Sequence, residues 1–340
     1  MAAASSDRNL RLLVMAKAGT DTFQTDVEGK WQKADPESLS KFSAVAATFA
    51  IHLHKDPTLK DVPLGIIDTS FGGTAIEAWT PKGTLPDIPQ DQISQSMFNI
   101  APGNLFNKMI APLTAYRIKG AAWYQGEANA GRPTFYTPLL KNLIVQWRKQ
   151  WNQPELPFFV VQLPAFEGKR DGLDFGWQRE AQERACREST RAWSVVTYDT
   201  TKGDDLHPVE KEEIGRRIAL LAAKEVYGRS VVAHGPVMKT TAVQGDRMAV
   251  TFDGPLKVRG DKLLGFSLAG EDGEYRFAEA TLDSNKVILR AEGISQPKTV
   301  RFAWGGQPDA NLVNAAGLPA AAFRTDKQGP KTLAFQPLPT

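Results

Sequence analysis

The stretch VPLGIIDTSFGGT, Val62 to Thr74, decides the fold. Val62 to Thr69 is a short apolar run of strand type, and it breaks into Ser70-Phe71-Gly72-Gly73-Thr74, a polar loop with two glycines. A strand of this kind is buried and delivers a loop at its carboxyl end. Upstream, Phe42, Val45, Ala46, Phe49 and Leu53 recur at helical spacing, which predicts a helix ending before Pro57. Downstream the alternation continues. A strand from Ile118 to Tyr124 leads into Gln125-Gly126-Glu127, and a helix follows through Tyr136, Leu139, Leu140, Leu143 and Trp147. Next come a strand from Phe158 to Leu163, a charged helix from Trp177 to Glu188, a strand from Ser194 to Tyr198 and a helix through Ile214, Ile218, Leu221 and Ala222. From Arg11 to about Gly228 this is the order of an α/β sheet whose crossovers are helices.

Beyond Gly228 the texture changes. Arg247 to Phe252, Leu263 to Leu268, Lys286 to Leu289 and Thr299 to Trp304 are short β-type runs separated by turn dipeptides, with no helical periodicity between them. The expected organisation is therefore an α/β domain over 1–228 and a small all-β domain over 229–340.

Composition narrows the function. The 340 residues carry a formal charge of +3 with both signs interspersed, which disfavours nucleic acid as a partner. No apolar run approaches the ~18 to 20 residues of a membrane helix. The single cysteine, Cys186, excludes an intrachain disulfide and reads as a packed thiol. Met1 to Arg8 holds no apolar stretch of signal-peptide type.

In parallel α/β sheets ligands bind beyond the carboxyl ends of the strands, so the loops after Thr69, Tyr124 and Tyr198 are expected to converge. Of four histidines, His52 and His54 are two apart on a helix and make a poor metal pair, and His234 lies in the linker. His207 follows Asp204 by three positions and precedes Pro208, which can open a helix. A carboxylate so placed can accept the Nδ1 proton and leave Nε2 as a general base. The alternative is that Asp204 or Asp205 caps the helix and His207 is a surface residue. Gly72 and Gly73 can present N–H groups to an anion or simply make a tight turn. Trp123 and Tyr124, with Gln125, Glu127 and Asn129, suit sugar recognition, or else the two rings are core and Glu127 a structural acceptor.

Three runs in order carry a resemblance: GIIDTSFGGTAIEAW (Gly65 to Trp79), MIAPLTAYRIKGAAWYQGEANAG (Met109 to Gly131) and DDLHPVEKEEIGRRIA (Asp204 to Ala219). Together with ANLVNAAGLPAAAFRTD (Ala310 to Asp326) they resemble the sialate O-acetylesterase family of carbohydrate esterases, within the SGNH hydrolases. The resemblance implies a flavodoxin-like three-layer α/β/α domain and hydrolysis of sugar O-acetyl esters without metal or other cofactor. It implies that a serine attacks the acetyl carbonyl, that His207 takes its proton, and that Asp204 or Asp205 steadies the imidazole. Gly72 or Gly73 would supply one oxyanion donor and Gln125, or else Asn129, the other. The partner it implies is an acetylated sugar or polysaccharide.

One block of the family pattern has no counterpart. The family's nucleophile lies in a Gly-Gln-Ser-Asn-Met run on the first sheet strand, ahead of the region matched by Asn9 to Val14 (NLRLLV). Ser70 is the only serine in a matching block, and Ser96 falls in a variable stretch. The expectation is a shortened member lacking an interior strand of the 2-1-3-4-5 order and the nucleophile block that activity requires, whose complete form is exported, periplasmic or lysosomal. A glycan-binding protein that has lost the serine is the rival; a lipase-like esterase is disfavoured, because no Gly-x-Ser-x-Gly elbow is present.

Overall fold

The computed structural model describes residues 7–94, 96, 98–167, 175–201 and 205–329. Its first half alternates strands and helices: β1 (Asp7–Val14), β2 (Gln32–Ala34), α1 (Pro36–Ser40), α2 (Ala44–His54), β3 (Leu64–Asp68), β4 (Ala121–Tyr124), α3 (Pro133–Gln150), β5 (Phe158–Val161), α4 (Phe175–Arg187), β6 (Ala192–Val195) and α5 (Glu212–Glu225). Local chemistry sets the helix starts. Asp35 and Ser38 close a reciprocal capping box on α1, the Ser43 hydroxyl accepts the Ala46 N–H at the start of α2, and Pro133 occupies the first turn of α3.

Two parallel ladders form. β1 runs parallel to β3, with Leu10 opposite Leu64 and Val14 opposite Asp68, and β2 closes the outer edge antiparallel. The other ladder is β4-β5-β6, with Ala121 opposite Phe158 and Phe158 opposite Ala192. Among the described residues, no ladder joins β3 to β4. Both strands are accordingly part-exposed, whereas β5, paired on both sides, is buried throughout.

Helices cover both faces of this layer, as its apolar alternation requires. On one face Leu13, Trp123, Phe158 and Val160 pack with Leu140, Leu143 and Trp147 of α3 and Ala181 and Ala185 of α4, and Ile67 joins them. On the other, Phe159, Val161 and Val195 meet Leu53 of α2 and Ile214, Ile218 and Leu221 of α5. The two ladders thus share cores above and below.

Antiparallel strands fill residues 238–324: β7 (Met238–Gln244), β8 (Arg247–Phe252), β9 (Leu256–Val258), β10 (Phe266–Ala269), β11 (Arg276–Phe277), β12 (Glu279–Asp283), β13 (Lys286–Arg290), β14 (Thr299–Phe302), β15 (Leu312–Asn314) and β16 (Phe323–Arg324). They form sheets ordered 12-13-8-7 and 11-10-14-16, with a 15-9 pair beside them. Their common core includes Tyr198 and Ala165 from the first half, and the Tyr198 hydroxyl donates to Ala320 O at 2.8 Å. Arg324 pairs with Glu180 of α4 at 2.8 Å and stacks 4.3 Å from the Trp177 ring centroid.

Some sequence expectations need correction. The sixth strand begins at Ala192, two residues before Ser194, and ends at Val195, where the chain bends to bury Thr197 and Tyr198. The run from Leu263 pairs only from Phe266, after Gly265 at φ 98°. Pro208 does not open the last helix; α5 starts at Glu212, after bends around His207. Among the described residues, no helix is long and apolar enough to cross a membrane.

Candidate active site

The loop after β3 is shaped by Asp68. Its Oδ1 accepts the Ser70 N–H at 3.0 Å and the Ser70 hydroxyl at 2.6 Å, which turns the chain outward and leaves Ser70 exposed. Gly73 sits at φ 71°, a left-handed conformation that a side chain would strain, and nothing stands within 4 Å of where Gly72 would carry a Cβ. The Thr74 hydroxyl donates to Phe71 O and accepts from Trp79 Nε1, fastening the far side of the turn.

The loop after β4 is tied to it by side-chain amides. Gln125 Nε2 donates to Thr74 O at 3.1 Å and to Asn129 Oδ1 at 2.8 Å. Asn129 Oδ1 also accepts the Ile76 N–H, while its Nδ2 donates to Glu77 Oε2 at 2.9 Å and to Ser94 Oγ at 3.0 Å. All four amide protons of Gln125 and Asn129 are therefore committed to the framework in this state. Beneath them the Tyr136 hydroxyl, which accepts from Trp123 Nε1, lies 2.8 Å from Gln125 Oε1. Gln182 of α4 donates to Gln125 O at 3.0 Å.

Glu77 is a buried carboxylate of the site and Glu127 a half-buried one. Burial pushes both upward; hydrogen bonds from Asn129 and Ser94 oppose this at Glu77, and the nearby His207 and Lys211 oppose it at Glu127. Leu206, packed against Ala130 and Leu163, and Lys211, with its Nζ over the Tyr124 ring, bring the segment after β6 to the end of β4. Burial also holds Lys211 below its ordinary value, with Glu127 and Asp205 pulling it back up.

The predicted residues divide. His207 is exposed, and its backbone N–H donates to Asp205 Oδ1 at 2.8 Å, so Asp205 supports the turn through the main chain. Asp204 lies outside the described residues. The Ser70 hydroxyl is held by Asp68, not by an imidazole. The sugar-stacking expectation is corrected for Trp123, whose indole is buried edge-on between Trp79 and Trp147, at centroid distances of 6.1 and 5.8 Å. Tyr124 is part-buried, with Lys211 Nζ 5.5 Å from its ring centroid. Ser96 is buried and accepts the Ala75 N–H. Sequence reasoning missed Glu77, Ser94 and Tyr136; the readable signal was one carboxylate inside the apolar run Ala75 to Trp79. Among the described residues, no cluster of three or more His, Cys, Asp or Glu could hold a metal ion.

Comparison with known proteins agrees across sequence and structure. Residues 5–223 match the family described as carbohydrate esterase, sialic acid-specific acetylesterase. Sialate O-acetylesterase of Homo sapiens is 29% identical over 243 residues, covering 62% of this chain and 45% of that protein. Its counterpart in Mus musculus is 26% identical over 347 residues, covering 84% and 63%. The chain thus spans about half the length of the human relative it matches. The crystal structure of XAC1771, a carbohydrate acetylesterase from Xanthomonas citri, superposes with a TM-score of 0.86 at 34% identity, over 96% of this chain and 75% of that one.

Proposed function

This chain belongs to the sialic acid-specific acetylesterase family of carbohydrate esterases, and from that membership we propose that it is the body of an enzyme that removes O-acetyl groups from sugars. The observation that carries this is the convergence of three strand-end loops, joined by Gln125 to Thr74, by Asn129 to Ile76 and by the packing of Leu206 on Ala130. Helices on both faces of a parallel layer support an SGNH-type three-layer fold over 1–228, with 229–340 as a second unit.

In the proposed reaction a serine hydroxyl attacks the acetyl carbonyl carbon and His207 Nε2 takes its proton. The tetrahedral oxyanion takes hydrogen bonds from the Gly72 and Gly73 N–H groups. An amide of Gln125 or Asn129 joins them by exchanging a framework bond for the oxyanion. The bond to the sugar oxygen then breaks, His207 returns the proton to that oxygen, and the free sugar leaves. Water, deprotonated by His207, cleaves the acetyl-serine to acetate. Asp204 or Asp205 steadies the imidazole.

Two positions can supply the serine. Ser70 stands at the crevice and must leave Asp68 for His207. The other is a serine on a strand seated between the unpaired edges of β3 and β4, which would end among Gly72, Gln125 and His207.

The test is acetate release from an acetylated sugar and from an aryl acetate by the chain and its His207→Ala and Ser70→Ala variants. Loss of release in both variants is the expected result if Ser70 is the nucleophile, and retention in Ser70→Ala would exclude it. Sugar binding by a folded chain that frees acetate from neither ester would overturn the esterase reading in favour of glycan binding.

A further inference from the structure

We propose that Phe71 and Phe98 form a stacking subsite for the pyranose ring that carries the acetyl group. The proposal rests on the esterase reading and deepens it by naming which face of the substrate is recognised. The two rings lie 5.3 Å apart with planes inclined at 32°. Phe71 stands directly between Ser70 and Gly72 and packs its rear against the main core, whereas Phe98 is 58% exposed.

An exposed aromatic side chain is costly to leave in water and costly to hold in one place. Phe98 is nevertheless held by anchors immediately upstream of it. The Ser94 N–H donates to Glu77 Oε1 at 2.8 Å, and Ser94 Oγ accepts from Asn129 Nδ2 at 3.0 Å and from Arg132 at 2.7 Å. Ser96 Oγ accepts the Ala75 N–H at 3.0 Å, and Ser96 O accepts the Asn99 N–H. These anchors are the same buried groups that join the loops after β3 and β4. The framework that shapes the crevice therefore also fixes an aromatic wall beside Gly72.

A pyranose matches that wall. One face of the ring is a patch of C–H groups that packs on aromatic carbon, and its rim is hydroxyl. With its C–H face on Phe71 and Phe98, the rim lies toward Ser70 and Asp68, and an acetyl group on the rim reaches the open space at Gly72. A flexible acyclic acetate has no such face. Trp123 and Tyr124 do not offer this surface, because both are turned into the cores of the layer.

The experiment is calorimetric titration and saturation-transfer NMR of the 340-residue chain with methyl O-acetyl-glucopyranoside, and with glycerol monoacetate as the acyclic control. The expected result is saturation of the ring C–H protons and an affinity for the pyranoside lowered about tenfold in Phe98→Ala, kept in Phe98→Trp, with the acyclic acetate indifferent to both. Unchanged pyranoside affinity in Phe98→Ala, or a pyranoside bound no tighter than glycerol monoacetate, would overturn the subsite. So would absence of any saturation transfer. Acetate release from glycerol monoacetate reports on the esterase reading alone, so failure of that reading with the Phe98 effect intact leaves the aromatic subsite in place.

Discussion

Glu77 and Asn129, 52 positions apart in the chain, meet in the interior with Glu77 Oε2 2.9 Å from Asn129 Nδ2. The contact joins the segment after β3 to the segment after β4, and the other oxygen of the Glu77 carboxylate accepts the Ser94 N–H. Only an acceptor fits both places.

Glu77→Gln should therefore be destabilising although it is nearly isosteric. Its amide nitrogen must face either the Ser94 N–H or the Asn129 amide, and a buried donor left without an acceptor costs about 1–3 kcal/mol. Urea denaturation measures this directly; a midpoint equal to the wild type would refute the acceptor-only argument.

Asp199→Asn addresses the second buried ion cluster. Asp199 holds Arg217 in a two-pronged pair at 2.6 and 2.8 Å, both nearly buried, and also accepts from Arg259. Burial alone would raise its carboxyl, but Arg217 and Arg259 hold it below the ordinary value. Removing the charge leaves the buried Arg217 guanidinium with Glu213 as its remaining carboxylate partner, at a cost of up to about 3–5 kcal/mol. Because the folded value lies below the unfolded ~3.9, the stabilisation is complete above that pH and disappears as pH falls through the folded value. The stability gap between wild type and variant should accordingly close on acidification, and a gap independent of pH down to the acid transition would count against the pairing.

Gly215→Ala tests the seat of α5 on α2. A Cβ there would stand 2.1 Å from Thr48 Oγ1 and 2.5 Å from the Phe49 nitrogen, so the helices must part. Alanine favours the helix by up to about 1 kcal/mol, yet overpacking of this kind costs about 1–3 kcal/mol. A lowered melting temperature is expected; a raised one would show that helix propensity wins.

Gln178→Met should have the opposite sign. The Gln178 side chain is fully buried beside Gly126, and neither of its amide atoms has a hydrogen-bond partner among the described residues. Methionine keeps the volume and removes the unpaired polar atoms, so stability should hold or rise by about 1 kcal/mol. A fall in the denaturation midpoint would mean the amide is satisfied in solution.

Long periodic elements were legible in sequence because burial imposes their spacing. Ala47, Ala50 and Leu53 face inward on α2, and Phe158 to Val161 is buried residue by residue. The two- and three-residue strands, such as Gln32–Ala34 and Arg276–Phe277, were not legible, since pairing partners rather than local pattern create them. At the site, sequence placed His207, Gly72 and Asn129 on strand-end loops. It could not tell that Trp123 is core, because an aromatic residue at a strand end suits either side of the surface. Glu77 and Ser94 were missed because their task is defined by a residue far along the chain.

The unpaired edges of β3 and β4 have a mechanical consequence. Backbone ladders resist shear, and among the described residues none crosses the middle of the layer, so the halves are coupled through shared side-chain cores and through side-chain bonds such as Gln125–Thr74, Asn129–Ile76, Asn129–Glu77, Trp147–Trp79 and Thr48–Lys211. Side chains rather than backbone hold the layer together at its middle. Under pulling force it would yield lengthwise between β3 and β4 while each ladder stayed whole.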